Sequence, residues 1–145
     1  MRRVVFFLVL CACPPPSSDA EAQAVARDLD ALDDAAETTM RVTPNETGLA
    51  NVEVYVKSRE KSLHEHILNL QNATLSASTS ATLQAAYAKN ATTAHVVQDR
   101  VNNAVPKESP AARARAKKVA LEICEITETP KYATECAPFR TPETE

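Results

Sequence analysis

Residues 48–105, GLANVEVYVKSREKSLHEHILNLQNATLSASTSATLQAAYAKNATTAHVVQDRVNNAV, run 58 positions without a proline in a chain of 145, so their folding decides the architecture. In the first half Leu49, Val52, Val56, Leu63, Ile67 and Leu70 follow a 3-and-4 spacing and lie within roughly 60° of one another on a helix. In the second half Leu83, Tyr87, Ala94, Val97, Val101 and Val105 form another stripe, about 160° round from the first if the helix is unbroken. The phase flips, and between the halves stands Ser76-Ala77-Ser78-Thr79-Ser80-Ala81-Thr82, whose hydroxyls compete for backbone hydrogen bonds. A kink or tight turn is expected there, with the halves packed on each other or on opposite neighbours. Val52-Glu53-Val54-Tyr55-Val56-Lys57 alternates with period 2 like a strand, but no second segment offers a pairing partner and helix is expected.

Upstream, Ser18 as N-cap with Glu21 three residues on reads as a capping box opening a helix. Its apolar stripe is Ala22, Val25, Leu29, Leu32, Ala36 and Met40, with Asp28, Asp30, Asp33, Asp34 and Glu37 flanking or opposing it. Thr43-Pro44-Asn45 stops this helix, and Gly48, the chain's one glycine, is expected to allow the turn into the long stretch. Downstream, Pro106 and Pro110 bracket a connection, and Pro110 suits the first position of a last helix that buries Ala112, Ala116, Val119, Ile123 and Ile126. From residue 129 onward the chain reads as an irregular Pro/Thr/Glu-rich tail tied down only at Cys136. The fold expected is all-α, an elongated antiparallel helical hairpin or bundle over residues 21–128.

Met1-Arg2-Arg3 followed by ten apolar residues from Val4 to Cys13 is too short to span a bilayer and reads as a secretory signal over residues 1–20. Ser18 with Ala20, or Ala20 with Ala22, supplies the small residues for cleavage. Leu10-Cys11-Ala12-Cys13 leaves a second reading open, a bacterial lipobox with Cys13 lipidated. Signal removal takes Cys11 and Cys13 away and leaves Cys124 and Cys136, most simply one disulfide that stabilises the chain by about 3 kcal/mol through its loop entropy. It also leaves 14 basic and 18 acidic residues, a net charge of −4, which disfavours nucleic acid and anionic membrane surfaces as general partners. With no second apolar run, no transmembrane helix is expected in the mature chain. Six acids against Arg27 in residues 21–40 and five bases against Glu108 in residues 107–118 suggest that the first and last helices face each other, although two solvated faces read equally well.

Catalytic chemistry is thin. A single glycine excludes glycine-rich phosphate cradles. His64-Glu65-His66-Ile67-Leu68 has Leu68 where a zinc-protease helix needs its second histidine, and His64 and His66 point roughly 160° apart. His95 has no carboxylate or thiol arranged with it in sequence. No enzyme, metal or cofactor is expected. The basic run Lys107 to Lys118 lacks interleaved aromatics, and internal pairing explains it as well as an anionic partner does.

Three acceptor sequons stand out: Asn45-Glu46-Thr47, Asn72-Ala73-Thr74 and Asn90-Ala91-Thr92, against about one expected by chance in such a composition. Asn45 falls in a turn and Asn72 lies roughly opposite its helix's stripe, so both are expected to carry glycans. Asn90 sits only about 30° from the centre of the second stripe, which conflicts with a glycan there.

An exported, glycine-poor, Ala/Thr-rich chain with an acidic first helix, long helices, N-glycan sequons and late cysteines resembles the N-terminal domain of trypanosome surface glycoproteins, most nearly the variant surface glycoproteins. That resemblance implies a dense membrane-anchored coat of elongated helical domains that shield the cell and present variable tips to antibodies. The chain departs from the family in its short length and in having neither a cysteine-rich C-terminal domain nor an anchor signal before Glu145, so a fragment and a free secreted relative are both open. The function expected is structural, shielding or antigen display, secreted or at the cell surface, with host or surface macromolecules as partners. Ala and Ser on helix faces also allow a homodimer along the long stretch. The alternatives are a helical binding module, receptor-like or carrying an apolar ligand, and a bacterial envelope lipoprotein; few aromatics argue against a roomy carrier interior.

Overall fold

The computed structural model describes residues 17–104, 106 and 109–141; residues 1–16, which hold most of the expected signal with Cys11 and Cys13, and also Val105, Lys107, Glu108 and residues 142–145 lie outside them. The described residues form α1 (Ser18–Val42), α2 (Glu46–Lys57), α3 (Glu60–Leu70), α4 (Ala77–Ala104), α5 (Pro110–Glu125) and a short α6 (Ala137–Arg140), with no strand among them. The all-α class and the disulfide-tied C-terminal region are as the sequence indicates.

Helix starts carry most of the corrections. Ser17, one residue before the expected cap, has the extended backbone of an N-cap, and its Oγ accepts the Ala20 amide at 3.3 Å. Glu21 therefore lies one position too far on to close a capping box; its carboxylate sits 2.9 Å from His66 Nδ1 instead. Asn45 caps α2, with Oδ1 accepting the Thr47 and Gly48 amides at 3.0 and 3.2 Å. Gly48 is thus the third helical residue, not the turn, and has no positive φ. Its role is close approach, because a Cβ there would stand 1.8 Å from the Thr43 carbonyl oxygen.

The long stretch breaks twice. Between α2 and α3, Ser58 Oγ donates to the Tyr55 carbonyl at 2.7 Å, the Arg59 amide bonds the Val56 carbonyl, and the Arg59 guanidinium lies 3.7 Å over the Tyr55 ring. Both short helices keep the first stripe buried. The larger break falls at residues 71–76, and the hydroxyl run 77–82 is helical. Ser76 starts α4 where a turn had been expected: its Oγ accepts the Thr79 amide, its carbonyl accepts the Ser80 amide, and its own amide donates to Asp19 Oδ1 at 2.9 Å. Asp19 thereby ties the start of α1 to the start of α4.

Cross-helix pairs give the topology. Gln23 to Thr79, Asp33 to Asn90 and Glu37 to Thr93 step in the same direction, so α1 and α4 pack parallel. Glu53 to Arg115 and Lys118, Lys57 to Glu122 and His64 to Ile126 likewise set α2 and α3 parallel to α5. Contacts run from α1 to α2 and α3, from α2 to α5, from α5 to α4 and from α4 back to α1. The four layers form a ring in that order, and residues 71–76 cross the end of the bundle diagonally. The phase flip now has its reason: the two halves of the long stretch bury their stripes on shared neighbours, α1 and α5. The stripes expected on α1, α3 and α5 are buried as read, and alanines at 22, 26, 36, 86, 94, 112, 116 and 120 let the helices close on one another.

Among the described residues α4 lies between α1 and α5, and the α1 acids Asp30 and Asp34 meet α4 where α5 bases had been expected. Lys89 of α4 takes the α1 acids, 3.2 Å from Asp30 and 2.8 Å from Asp34, while Arg115 and Lys118 meet Glu53 of α2. The tail is also held at more points than Cys136. Phe139 is buried and packs 4.7 Å from His95, Tyr132 meets Tyr87 edge-on at 5.2 Å, Lys131 Nζ donates to the Gln71 carbonyl, and Arg140 pairs with Glu125 and Glu128.

Candidate functional site

Two expected glycan acceptors occupy connections at opposite ends of the bundle. Asn45 is exposed between α1 and α2, and because its cap is made through Oδ1, the Nδ2 that would carry a sugar is not used by the cap. Asn72 is exposed just past α3, in the diagonal crossing. Asn90 is different. It has no solvent exposure, and its Nδ2 donates to Asp33 Oδ1 at 2.9 Å. A glycan would take one of the two hydrogens of that nitrogen and, having no room in the buried site, would require α1 and α4 to part.

Cys124 and Cys136 form the one disulfide among the described residues, both half-cystines fully buried, with Thr134 Oγ1 packed against the bridge. The bridge joins the end of α5 to the start of α6. His64 and His66 leave opposite sides of α3, one to the Ile126 carbonyl at 3.0 Å and the other to Glu21. Among the described residues no three His, Cys, Asp or Glu side chains converge to hold a metal ion, and no helix is long and apolar enough to cross a membrane.

Two charge clusters organise the surface. Glu53 receives Arg115 at 2.8 Å, Lys57 at 2.9 Å and Lys118 at 3.1 Å, and these hydrogen bonds, that of Arg115 foremost, hold its carboxyl down at about 2. Beside it, burial raises the Glu122 carboxyl above its ordinary value, and its Oε2 has no hydrogen-bond partner among the described residues. Between α3 and the end of α5, Glu60, Lys61, His64, Glu122, Glu125, Ile126 and Glu128 line an open groove of about 600 Å³.

Sequence reasoning missed a buried polar chain. Asp33, expected to flank or oppose the α1 stripe, is fully buried in it, and its partner Asn90 is reached in turn by Thr127 Oγ1 at 3.4 Å. A signal was present: Asp33 lies four residues after Leu29 and three before Ala36, and Asn90 three after Tyr87 and four before Ala94, so each interrupts an apolar face. Burial pushes the Asp33 carboxyl up to about 7. No family model, curated protein or solved structure matches the chain.

Proposed function

We propose that this chain is a secreted or cell-surface helical glycoprotein, non-catalytic, with a structural, shielding or antigen-display role, and a relative of the trypanosome surface glycoproteins it resembles in style. The observation that carries the reading is the placement of the sequons: Asn45 and Asn72 stand exposed at opposite ends of the bundle. Glycans on both would widen the two ends of a narrow helical body, which suits a molecule packed side by side with others. Burial of the third sequon is in keeping with this, since a glycan there would oppose folding. The described grooves between helices are open and edged by charged or polar side chains, which favours display over carriage of an apolar ligand.

The start of the mature chain belongs to the same reading. Both cleavage positions remove the Ser17 cap and the Asp19 bond to Ser76, but one after Ala20 leaves the fully buried Ala22 in place, whereas one after Ala22 removes it from the core. Glu21 is therefore the expected first residue.

The test is the intact, unreduced mass of the protein from its native source before and after N-glycan removal. Two glycans mapped to Asn45 and Asn72, a start at Glu21 and a mass two hydrogens below the reduced chain are expected. Glycan at Asn90, or an unglycosylated chain beginning at an acylated Cys13, would overturn the reading.

A further inference from the structure

At mid-height of the bundle a hydrogen-bonded chain crosses three layers. Asn90 Nδ2 of α4 donates to Asp33 Oδ1 of α1 at 2.9 Å, Asn90 Oδ1 accepts from Thr127 Oγ1 at 3.4 Å, and that hydroxyl also faces the Cys124 carbonyl at 3.3 Å. Asp33, Asn90, Cys124 and Thr127 have no solvent exposure. The chain thus reaches from the middle of α1 to the half-cystine that holds the tail. At its α1 end it is incomplete, because Asp33 Oδ2 has no hydrogen-bond partner among the described residues. An ionised carboxyl would leave a charged oxygen out of water and bare, whereas the neutral acid carries a much smaller burial cost.

The surrounding charges do not offset that cost. Lys89 of α4 favours ionisation, but its ammonium is engaged by Asp30 and Asp34, and Asp30 and Glu37 on α1 itself oppose a further negative charge. Charges on the other neighbours are occupied elsewhere: Glu53 and Lys57 of α2 with each other and with α5, Glu122 of α5 with Lys57 and Lys118, His66 of α3 with Glu21, and Glu128 with Arg140. His64 is turned to the Ile126 carbonyl.

We propose that Asp33, Asn90 and Thr127 form a protonation-controlled latch between the α1–α4 interface and the disulfide-tied tail, closed while the carboxyl is neutral and weakened when it ionises inside the core. Local parting of α1 and α4 admits water to the carboxylate, removes the acceptor from Asn90, and frees Thr127 and the segment through Thr134 that covers Tyr87. The sign follows from linkage. The carboxyl sits at about 7 in the closed bundle and near its ordinary 3.8 once hydrated. The closed state therefore loses ground as pH rises from about 4 to about 7 and is level above that. Between pH 5.5 and 8.5 the opening equilibrium rises roughly thirtyfold. The latch goes beyond the display role and does not rest on it.

Hydrogen exchange of the full disulfide-bonded protein at pH 5.5 and 8.5, corrected for the intrinsic pH dependence of amide exchange, tests the latch. Protection around Asn90 and across residues 127–135 is expected to fall roughly thirtyfold in the wild type and less than about twofold in Asp33→Asn, the neutral isostere. A fall of the same size in both proteins, or one spread evenly over all the helices, overturns it. Carbon-13 titration of the wild-type Asp33 carboxyl stands independently of whether the variant folds: a midpoint near 7 supports the latch, and one near 4 rules it out.

Discussion

A single missing methyl group fixes the first corner of the bundle. Gly48 brings the first turn of α2 against the Thr43 carbonyl, and a Cβ at 1.8 Å from that oxygen meets backbone, which cannot rotate aside. Gly48→Ala is expected to destabilise the protein by roughly 3 kcal/mol, checked by urea denaturation. A loss below about 0.5 kcal/mol would mean that the Thr43–Asn45 turn shifts at little cost. The residue scale is where the sequence was hardest to read. A lone glycine after a proline looks like a turn residue, since conformational freedom and close approach leave the same mark. Asp33 reads as one of five acids flanking or opposing the α1 stripe because composition counts charges, while burial depends on the angle each takes round the helix.

Elements were more legible than their ends. Every apolar position expected on α1, α3 and α5 is in the core, since 3.6-residue periodicity samples the same face many times and one deviation barely moves it. The break falls earlier than the hydroxyl run suggests, at residues 71–76, because serine caps a helix as readily as it weakens one, and at Ser76 the hydroxyl accepts the Thr79 amide instead of competing with the helix. The α2–α5 contact carries its own pH dependence. Glu53 is held at about 2, so its contribution is present above about pH 4.5 and is lost as pH falls through 2. Urea midpoints measured at pH 5, 3 and 2 should fall steeply for the wild type and more gently for Glu53→Gln, which starts lower. Parallel curves for the two proteins would show that Glu53 does not hold α2 to α5. This slope is opposite in sign to that expected of Asp33, so these two groups together favour the folded state most at about pH 4 to 4.5, where the two windows meet.

For the molecule as a whole, the disulfide closes a core already assembled from four layers. Replacing Cys124 and Cys136 together by serine is expected to cost about 3 kcal/mol and to free α6, with Phe139 leaving His95. Thermal melting with near-ultraviolet dichroism of the Tyr87–Tyr132 pair would register both effects; an unchanged midpoint would assign the tail's hold to its noncovalent contacts through Lys131, Tyr132, Phe139 and Arg140. Fold class was legible from sequence because amphipathic segments without glycine leave few other folds open. Neighbour order was not, because charge complementarity between the first and last helices is satisfied twice over through α2 and α4.

The parallel seating of α1 against α4 bears on how anything outside would recognise this protein. Along that seam the exposed ridge of Lys89, Asp30 and Asp34 joins positions 55 to 59 residues apart in the chain. An antibody gripping the ridge would contact an epitope that no linear peptide reproduces, and its binding should vanish when the antigen is denatured.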